Sequence, residues 1–555
     1  MSSLASFTPN SSSLVARLPV ELLCYVFLEY RNFASARALD RQKREDVPIW
    51  VPGVLHVCRT WRQAALDCTS LWTELNFINP EWTSKFLQLS RDLPLDVYAD
   101  FSPPPYRMRR PGTSSSTTSA NRALAHLQRI RQLAIRANDK IDVHRILMEY
   151  AETPALLLET LVLDCTMYSM STVKDFPSEL FAGQTPALRV LRVRNASFQP
   201  KMKSNILRGL TQLEMTGAFS WRWFGKTQDM LDMLEASPQL EYLKLEYSIP
   251  SNKQSPNQAP TTPLDPSYTI DMPSLRKLDI HDYYDGVCRL VGHLTLPPSH
   301  SMHLTLTFET NIDPAGRARV ASLASRIHMD PEYAVQSLWV DVRSSRISFV
   351  GSHSPEPNDR GCAESVLKLT MDCPSRTWNV DELFTSAVQA MPIDGTRTLD
   401  VRLRQPMEQY VWQTLYRSVP FVTNAQISGT ETTHEFLQAL GANPALEHGP
   451  GGPISNALDP SSHNLVHLER LSLTGIAVDE EWCELLVEAI LARRRLGGSK
   501  LRRLHIETAA DKRIRCATEF EQLEDAVSLV TSSFANGPRM DMEHSEPLST
   551  DMWDW

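Results

Sequence analysis

From about residue 121 onward one spacing of apolar positions keeps returning: apolar-x-x-apolar-x-apolar. It occurs at Ile130/Leu133/Ile135, Leu158/Leu161/Leu163, Leu188/Leu191/Val193, Leu210/Leu213/Met215 and Leu240/Leu243/Leu245. It recurs at Leu275/Leu278/Ile280, Val335/Leu338/Val340, Leu468/Leu471/Leu473 and Leu501/Leu504/Ile506, and neighbouring clear copies start 22 to 35 residues apart. Weaker strand patterns, "HLTLTF", "VLKLTM", "TLDVRL" and "TNAQIS", fall between them. Two apolar residues two apart face one side of a strand, and the first of each triad packs beneath them on the approach. Helix-like stretches such as "DMLDMLEASP" and "VDEEWCELLVEAILARRR" separate the copies. A strand-plus-helix unit cannot bury its own apolar face, so successive units must stack. The expectation for residues 121–510 is an α/β solenoid with a curved, mostly parallel sheet and outer helices.

The front of the chain follows a different period. Pro19 can sit in the first turn of a helix, where its missing N–H costs nothing. Leu22, Leu23, Val26, Phe27 and Tyr30 then recur at one-, three- and four-residue steps, predicting one broad apolar stripe. Residues 31–50 form a charged connector, either loop or extra helical turn. Pro52 restarts a second helix with Val54, Val57, Cys58, Trp61 and Ala65 on one face and Arg59, Arg62 and Gln63 on the other. Leu71 and Trp72 close this unit in a short third turn. Trp82, Phe86 and Leu87 predict a further helix, and "LPLDVYADF" a strand, over residues 78–101.

Segments rich in proline and serine punctuate the rest. Residues 1–14 are expected to be a flexible lead, 102–120 a flexible Pro/Ser-rich loop, and 250–267 and 447–464 long projecting loops. Residues 511–555 are expected to hold a C-terminal helix and an acidic tail ending in "DMWDW".

Composition narrows the classes. With 42% hydrophobic and 22% charged residues, the 555-residue chain is globular, and it exceeds what one ordinary core accommodates. A net charge of −9 gives no global pull toward nucleic acid or an anionic membrane. Arg493–Arg495 close a helix that opens with Asp479, Glu480 and Glu481, matching the macrodipole at both ends. The run Arg107/Arg109/Arg110 sits in the Pro/Ser-rich loop. The nine cysteines are dispersed without CxxC or zinc spacing, and are expected to be reduced thiols. The opening "MSSLASFTPNSSSLVAR" lacks the charged and apolar regions of a signal peptide. A soluble protein of the cytoplasm, the nucleus or both is expected.

Taken in order, "LPVELLCYVFLEY", "VLHVCRTWRQAAL" and "LW" resemble the F-box, and in particular the F-box-like proteins expanded in fungi. The resemblance covers about residues 15–100 in motif detail, with the helical domain at 15–77. The region beyond resembles a degenerate leucine-rich repeat. The connector at 31–50 departs from the compact F-box in being longer and more charged. The resemblance implies docking onto the adaptor Skp1, and through it onto the cullin scaffold of a ubiquitin ligase. Leu18, Pro19, Leu22, Leu23, Val26 and Phe27 match the first helix of the motif, and Val57, Cys58, Trp61, Leu71 and Trp72 match the remainder. A three-helix unit this small exposes apolar surface that a partner can cover. Trp61 and Leu66 are also candidates for the motif's own core.

Catalytic signatures are missing from the sequence. It holds no GxSxG turn, no GxGxxG or GxxxxGK[ST] loop and no HExxH; His434-Glu435 begins such a string, but Gln438 ends it. Cys362, Cys373 and His353 lack metal-ligand spacing. "HDYYD" at 281–285 reads as a solvated loop, with a binding surface as the other possibility. No cofactor and no metal is expected. The function expected is that of a non-catalytic substrate receptor, the F-box docking the adaptor and the repeats binding a target protein. The alternatives are a non-ligase scaffold and an enzyme with a site of its own in the repeats.

Overall fold

The computed structural model describes residues 18–40, 48–75, 79–101, 115–137, 140–165, 180–195, 205–217, 227–249, 268–298, 300–308, 312–326, 334–354, 365–373, 379–429, 433–442, 465–476, 478–508, 522–523, 526–534 and 540–542. The chain forms two compact units: residues 1–225 with 232–240, and residues 226–231 with 241–555. Both are α/β, with open and mostly parallel sheets.

The first unit opens with helices α1 (Val20–Asp40), α2 (Trp50–Leu55) and α3 (Arg59–Asp67), then a 3-10 turn at Thr69–Trp72. Strand β1 (Glu74–Leu75) and helix α4 (Pro80–Leu89) follow, then β2 (Leu95–Asp100) and α5 (Ser115–Leu124). Next come β3 (Ile130–Ala137), α6 (Lys140–Glu149), β4 (Thr160–Cys165), β5 (Val190–Arg194) and β6 (Gln212–Thr216). The pairs β1–β2 and β2–β3 are parallel, as are β3–β4, β4–β5 and β5–β6. Leu133, Leu161, Leu191 and Leu213 stand in register as one apolar row, and Ile135, Leu163, Val193 and Met215 as the next.

Helix α7 (Thr227–Glu235) carries the boundary between the units. The second unit begins with β7 (Tyr242–Glu246), β8 (Ile270–Asp271), β9 (Lys277–Tyr283), α8 (Tyr284–Gly292), β10 (Leu294–Thr295), β11 (Ser301–Thr307) and α9 (Pro314–Ser325). It continues with β12 (Ser337–Arg343), β13 (Arg346–Ser352), β14 (Ser365–Asp372), α10 (Val380–Ala390), β15 (Thr398–Leu403) and α11 (Gln409–Ser418). It ends with β16 (Asn424–Ser428), α12 (Thr433–Gly441), β17 (Arg470–Ile476), α13 (Glu480–Arg495), β18 (Arg503–Thr508), β19 (Val530–Phe534) and β20 (Met540–Met542).

Here the strand order departs from simple stacking. Strand β11 pairs in parallel with β9 and with β14, not with β12. Strand β13 runs antiparallel between β14 and β12, and β12 hands the parallel order on to β15. A three-stranded meander is thus set into the parallel series. Its first turn is Ser344-Ser345, with Arg343 opposite Arg346. Strand β13 was not among the strands expected from the sequence.

All nine expected triads are interior: each of their residues is at most 2% exposed. A tight turn delivers the first residue of a triad. Leu188 N–H donates to the carbonyl of Thr185, Leu240 to Ser237 and Leu275 to Met272, with Pro186, Pro238 and Pro273 at the second turn position. Proline's fixed φ suits that position. The residue just before a strand then offers one carbonyl to two consecutive amides of the next copy. Glu159 accepts from Arg189 and Val190, Arg397 from Thr423 and Asn424, Thr423 from Glu469 and Arg470, and Glu469 from Arg502 and Arg503.

Several expectations need correction. Of the two alternatives for the connector at 31–50, residues 31–40 take the helical one and continue α1. The second N-terminal helix is two helices, because the chain breaks at His56–Cys58. Residues 115–120 of the expected 102–120 loop are helical; the remainder, including Arg107, Arg109 and Arg110, lies outside the described residues. In the C-terminal segment the described elements are strands β19 and β20, not a helix. Residues 1–14, 250–267 and 447–464 and the tail beyond 542 lie outside the described residues, as does Cys362. Cys24, Cys58, Cys68, Cys165, Cys288 and Cys373 are free thiols, whereas Cys483 is disulfide-bonded, against the expectation of reduced cysteines throughout.

Candidate functional site

The expected docking residues do not share one face. Helix α1 starts where Pro19 predicts, with Leu23 N–H donating to the Pro19 carbonyl at 3.1 Å. Leu23 and Phe27 turn inward and are 2% and 1% exposed. Leu22 and Val26, one position earlier in each case, are 52% and 46% exposed. The broad stripe expected from spacing is therefore two stripes about 100° apart on the helix, one for the core and one for solvent.

The inward stripe meets a cluster of aromatic rings. Phe27 lies edge-on to Trp61, with centroids 5.1 Å apart. Trp72 contacts Trp50 at 5.4 Å and Phe86 at 4.9 Å, and its indole N–H donates to the Ala65 carbonyl at 2.8 Å. Leu71 and Trp72 are fully buried, so they form the unit's own core and not an exposed contact. Trp61 is half-buried. Cys58 is exposed and caps α3, its sulfur accepting from the Trp61 amide at 3.4 Å. Arg62 bridges the break between α2 and α3 by donating to the Leu55 carbonyl at 2.9 Å. Arg31 ties α1 to the 3-10 turn through the Ser70 carbonyl at 2.9 Å and to β1 through Glu74 at 3.6 Å. A Cβ added to Gly53 would stand 3.0 Å from the Tyr30 ring, so a glycine is what lets α2 approach α1 this closely. Burial raises the Cys24 thiol to about 11, reinforced by its hydrogen bond with Cys68, which keeps it protonated.

The outward stripe is the candidate site. Leu18, Leu22, Tyr25, Val26 and Phe33 are 37%, 52%, 63%, 46% and 60% exposed. Their spacing from Leu22 through Phe33 confines them to one arc of α1, which they share with the exposed Glu29. Pro19 is exposed at its start, and Val57 is 55% exposed at the α2–α3 break. Tyr25 and Phe33 are not among the docking residues expected from the sequence; the three- and seven-residue steps from Leu22 and Val26 carry the signal for them.

A fully buried apolar side chain gains about 1.5–3 kcal/mol. Five side chains about half exposed therefore have about 4–8 kcal/mol left to gain, against association costs of about 4–15 kcal/mol. The stripe alone meets the lower end of that range. A tight partner must also cover neighbours such as Val57.

"HDYYD" is neither a solvated loop nor a cluster of free acids. Asp282 is 2% exposed, and its carboxylate accepts the amides of Ser248, Ile249 and Tyr283, each at 2.7 Å. The first two amides follow Tyr247, whose φ of +47° turns them toward the carboxylate as a nest. Tyr247 Oη and His281 Nε2 lie 2.9 Å apart. Asp285 pairs with Arg289 at 2.9 Å and Arg319 at 2.7 Å. The group holds the end of β7 against β9.

Arg493 lies in the last turn of α13 with Arg494 and Arg495, as expected, and is 1% exposed. It donates to the carbonyls of Leu465, Leu468 and Ser499 at 2.8–3.1 Å, and burial lowers its guanidinium to about 10. Among the described residues no group of three or more His, Cys, Asp or Glu side chains is placed to hold a metal ion, and no helix is long and apolar enough to cross a membrane. His353 contacts the Ala334 carbonyl at 3.3 Å, and Cys373 is buried apart from it. The chain matches no protein-family model and no curated protein sequence.

Proposed function

We propose that the N-terminal helices are an F-box-type docking module that seats on a Skp1-like adaptor and through it on a cullin, and that the sheets are degenerate leucine-rich repeats that hold a target protein. The protein on this reading is the non-catalytic substrate receptor of a ubiquitin ligase. It accelerates transfer by proximity alone, raising the local target concentration to the order of millimolar. The observation that carries the reading is the outward stripe of α1. A well-packed aromatic core lies beneath it, so the exposed Leu22, Tyr25, Val26 and Phe33 are not left over from a failed interior. A groove that accepts an amphipathic helix is the partner chemistry such a stripe suits. The recurring buried triads support the repeat reading.

The test is affinity capture of the full chain beside a Leu22→Asp/Phe33→Ser variant, both substitutions lying on the solvent side. Loss of the adaptor from the variant, with unfolding unchanged, is the expected result. Equal capture of the adaptor by both proteins refutes the docking assignment. Capture of the adaptor without a cullin identifies a scaffold working outside the ligase.

A further inference from the structure

The turns that lead into successive strands of the second unit form a ladder along one rim of its sheet. Ser337, Thr398, Asn424 and Arg470 stand opposite one another at the starts of β12, β15, β16 and β17. Three residues earlier in each copy come Ala334, Gly395, Phe421 and His467, and one residue earlier Gln336, Arg397, Thr423 and Glu469. The residues between these two rows, Val335, Thr396, Val422 and Leu468, are fully buried. The rows therefore flank a furrow, an open cleft of about 380 Å³ that runs from Gly395 and Arg397 past Phe421 and His467 to Ser499.

The first row changes height along its length. Ala334 and Gly395 bring almost no side chain, and a Cβ added to Gly395 would stand 3.3 Å from that of Ala334. The next two rungs are rings: Phe421, 55% exposed, stacks on the exposed His467 with centroids 5.9 Å and planes 26° apart. One face of Phe421 lies against His467, and the other looks toward the notch left by the two small residues. The second row supplies charge. Arg397 and Arg470 are exposed and meet no carboxylate among the described residues, while Glu469 is offset by Arg502 at 3.2 Å. With Arg503, four guanidiniums on this rim stand against the carboxylates of Asp394 and Glu469 among the described residues. A single exposed ring is ordinary; a ring beside a notch and two free cations is a seat.

We propose that the furrow holds an extended segment of a partner protein that carries a large aromatic side chain flanked by carboxylates. The ring enters the notch and stacks on the free face of Phe421, and the carboxylates meet Arg397 and Arg470. Pairing of two rings is favourable beyond the area it covers, and the cations set which flanking residues are accepted. A volume of about 380 Å³ is at the lower end for ligand sites, enough for one such side chain and too small for a folded surface. From the Ala334 rung to that of Ser499 is four strand spacings, roughly 19 Å, which about six extended residues span. The inference rests on the repeats holding a target protein and names that target's chemistry; it does not depend on the docking role of α1.

Fluorescence polarisation of a labelled Gly-Glu-Glu-Trp-Glu-Gly peptide with the full chain tests it. The chain binds this peptide, and a version with alanine for tryptophan binds roughly tenfold more weakly. Phe421→Ser and Arg397→Glu each weaken binding by a similar factor and leave the unfolding midpoint in place, since both side chains are at the surface. An Arg397→Glu/Arg470→Glu variant instead prefers a peptide with lysines in place of the glutamates. The Leu22→Asp/Phe33→Ser variant binds the acidic peptide as the unsubstituted chain does. Absence of binding at millimolar peptide overturns the proposal, as does equal affinity for the tryptophan and alanine versions. Affinity lost in the α1 variant but kept in Phe421→Ser overturns it by moving the peptide to α1. A target protein captured equally by the chain and by Phe421→Ser overturns the furrow and leaves the repeat reading standing.

Discussion

The nine sheet triads and the outward stripe of α1 are built from the same residue types, yet the former are at most 2% exposed and the latter 37–63% exposed. Sheet residues are covered because each copy supplies the surface its neighbour lacks, row upon row in register. Helix α1 has no next copy. Its inner stripe is covered by Trp61 and the residues around it, and its outer stripe is left to solvent. Apolar composition alone therefore does not decide burial; the number of available neighbours does.

The sharpest way to break that comparison is a matched pair of truncations. Leu163→Ala, inside the first unit's sheet, costs about 2–5 kcal/mol in denaturant unfolding, whereas Leu22→Ala stays within about 0.5 kcal/mol. Similar losses at both positions would mean that α1's outer stripe is covered within the chain. Arg493→Met comes next, at about 3 kcal/mol by thermal unfolding, because the carbonyls of Leu465, Leu468 and Ser499 lose a charged donor.

Asp282 gives a pH-dependent effect. Burial raises its carboxyl to about 6 against the three amides that favour the anion. The folded chain then holds the proton more tightly than the unfolded chain, so this contribution is full below about pH 4 and is lost as pH rises through 6. The loss is about 3 kcal/mol at most. Urea midpoints across pH 4–7 that fall in the native chain and flatten in Asp282→Asn are the expected result; parallel curves refute it. The smallest effect belongs to Tyr25→Ser and Phe33→Ser: stability shifts within about 0.5 kcal/mol, and binding of a hydrophobic dye falls.

Much of the fold was legible in the sequence because two periods carried it. The triads located nine buried approach-and-strand units, and Asp479 located the start of α13, where its carboxylate accepts the Trp482 amide at 2.9 Å. Strand β13 was missed because "RISFVGS" lacks the preceding apolar residue of the triad and follows a two-serine turn, a hairpin signal and not a repeat signal. The candidate site was legible as a set but not as a face. Leu22 and Leu23 are adjacent in sequence, and which of two neighbouring leucines turns inward is set by where Trp61 and its neighbours stand. Arg493 illustrates the same limit, since three consecutive arginines look alike until one of them finds carbonyls from a turn some 25–28 residues away.

The shared carbonyls just before the strands have a consequence for how such a chain can change length. Arg397, Thr423 and Glu469 each stand one residue before a strand and each bind the next copy through the same two amides. An insertion there would throw every later copy out of step. Downstream of a strand the constraint disappears: the stretch from Ser428 to Glu469 is about twice that from Leu403 to Thr423, with the pairing of β15, β16 and β17 intact. One rim works as a ruler and the other as a margin, and new loops can be written only in the margin.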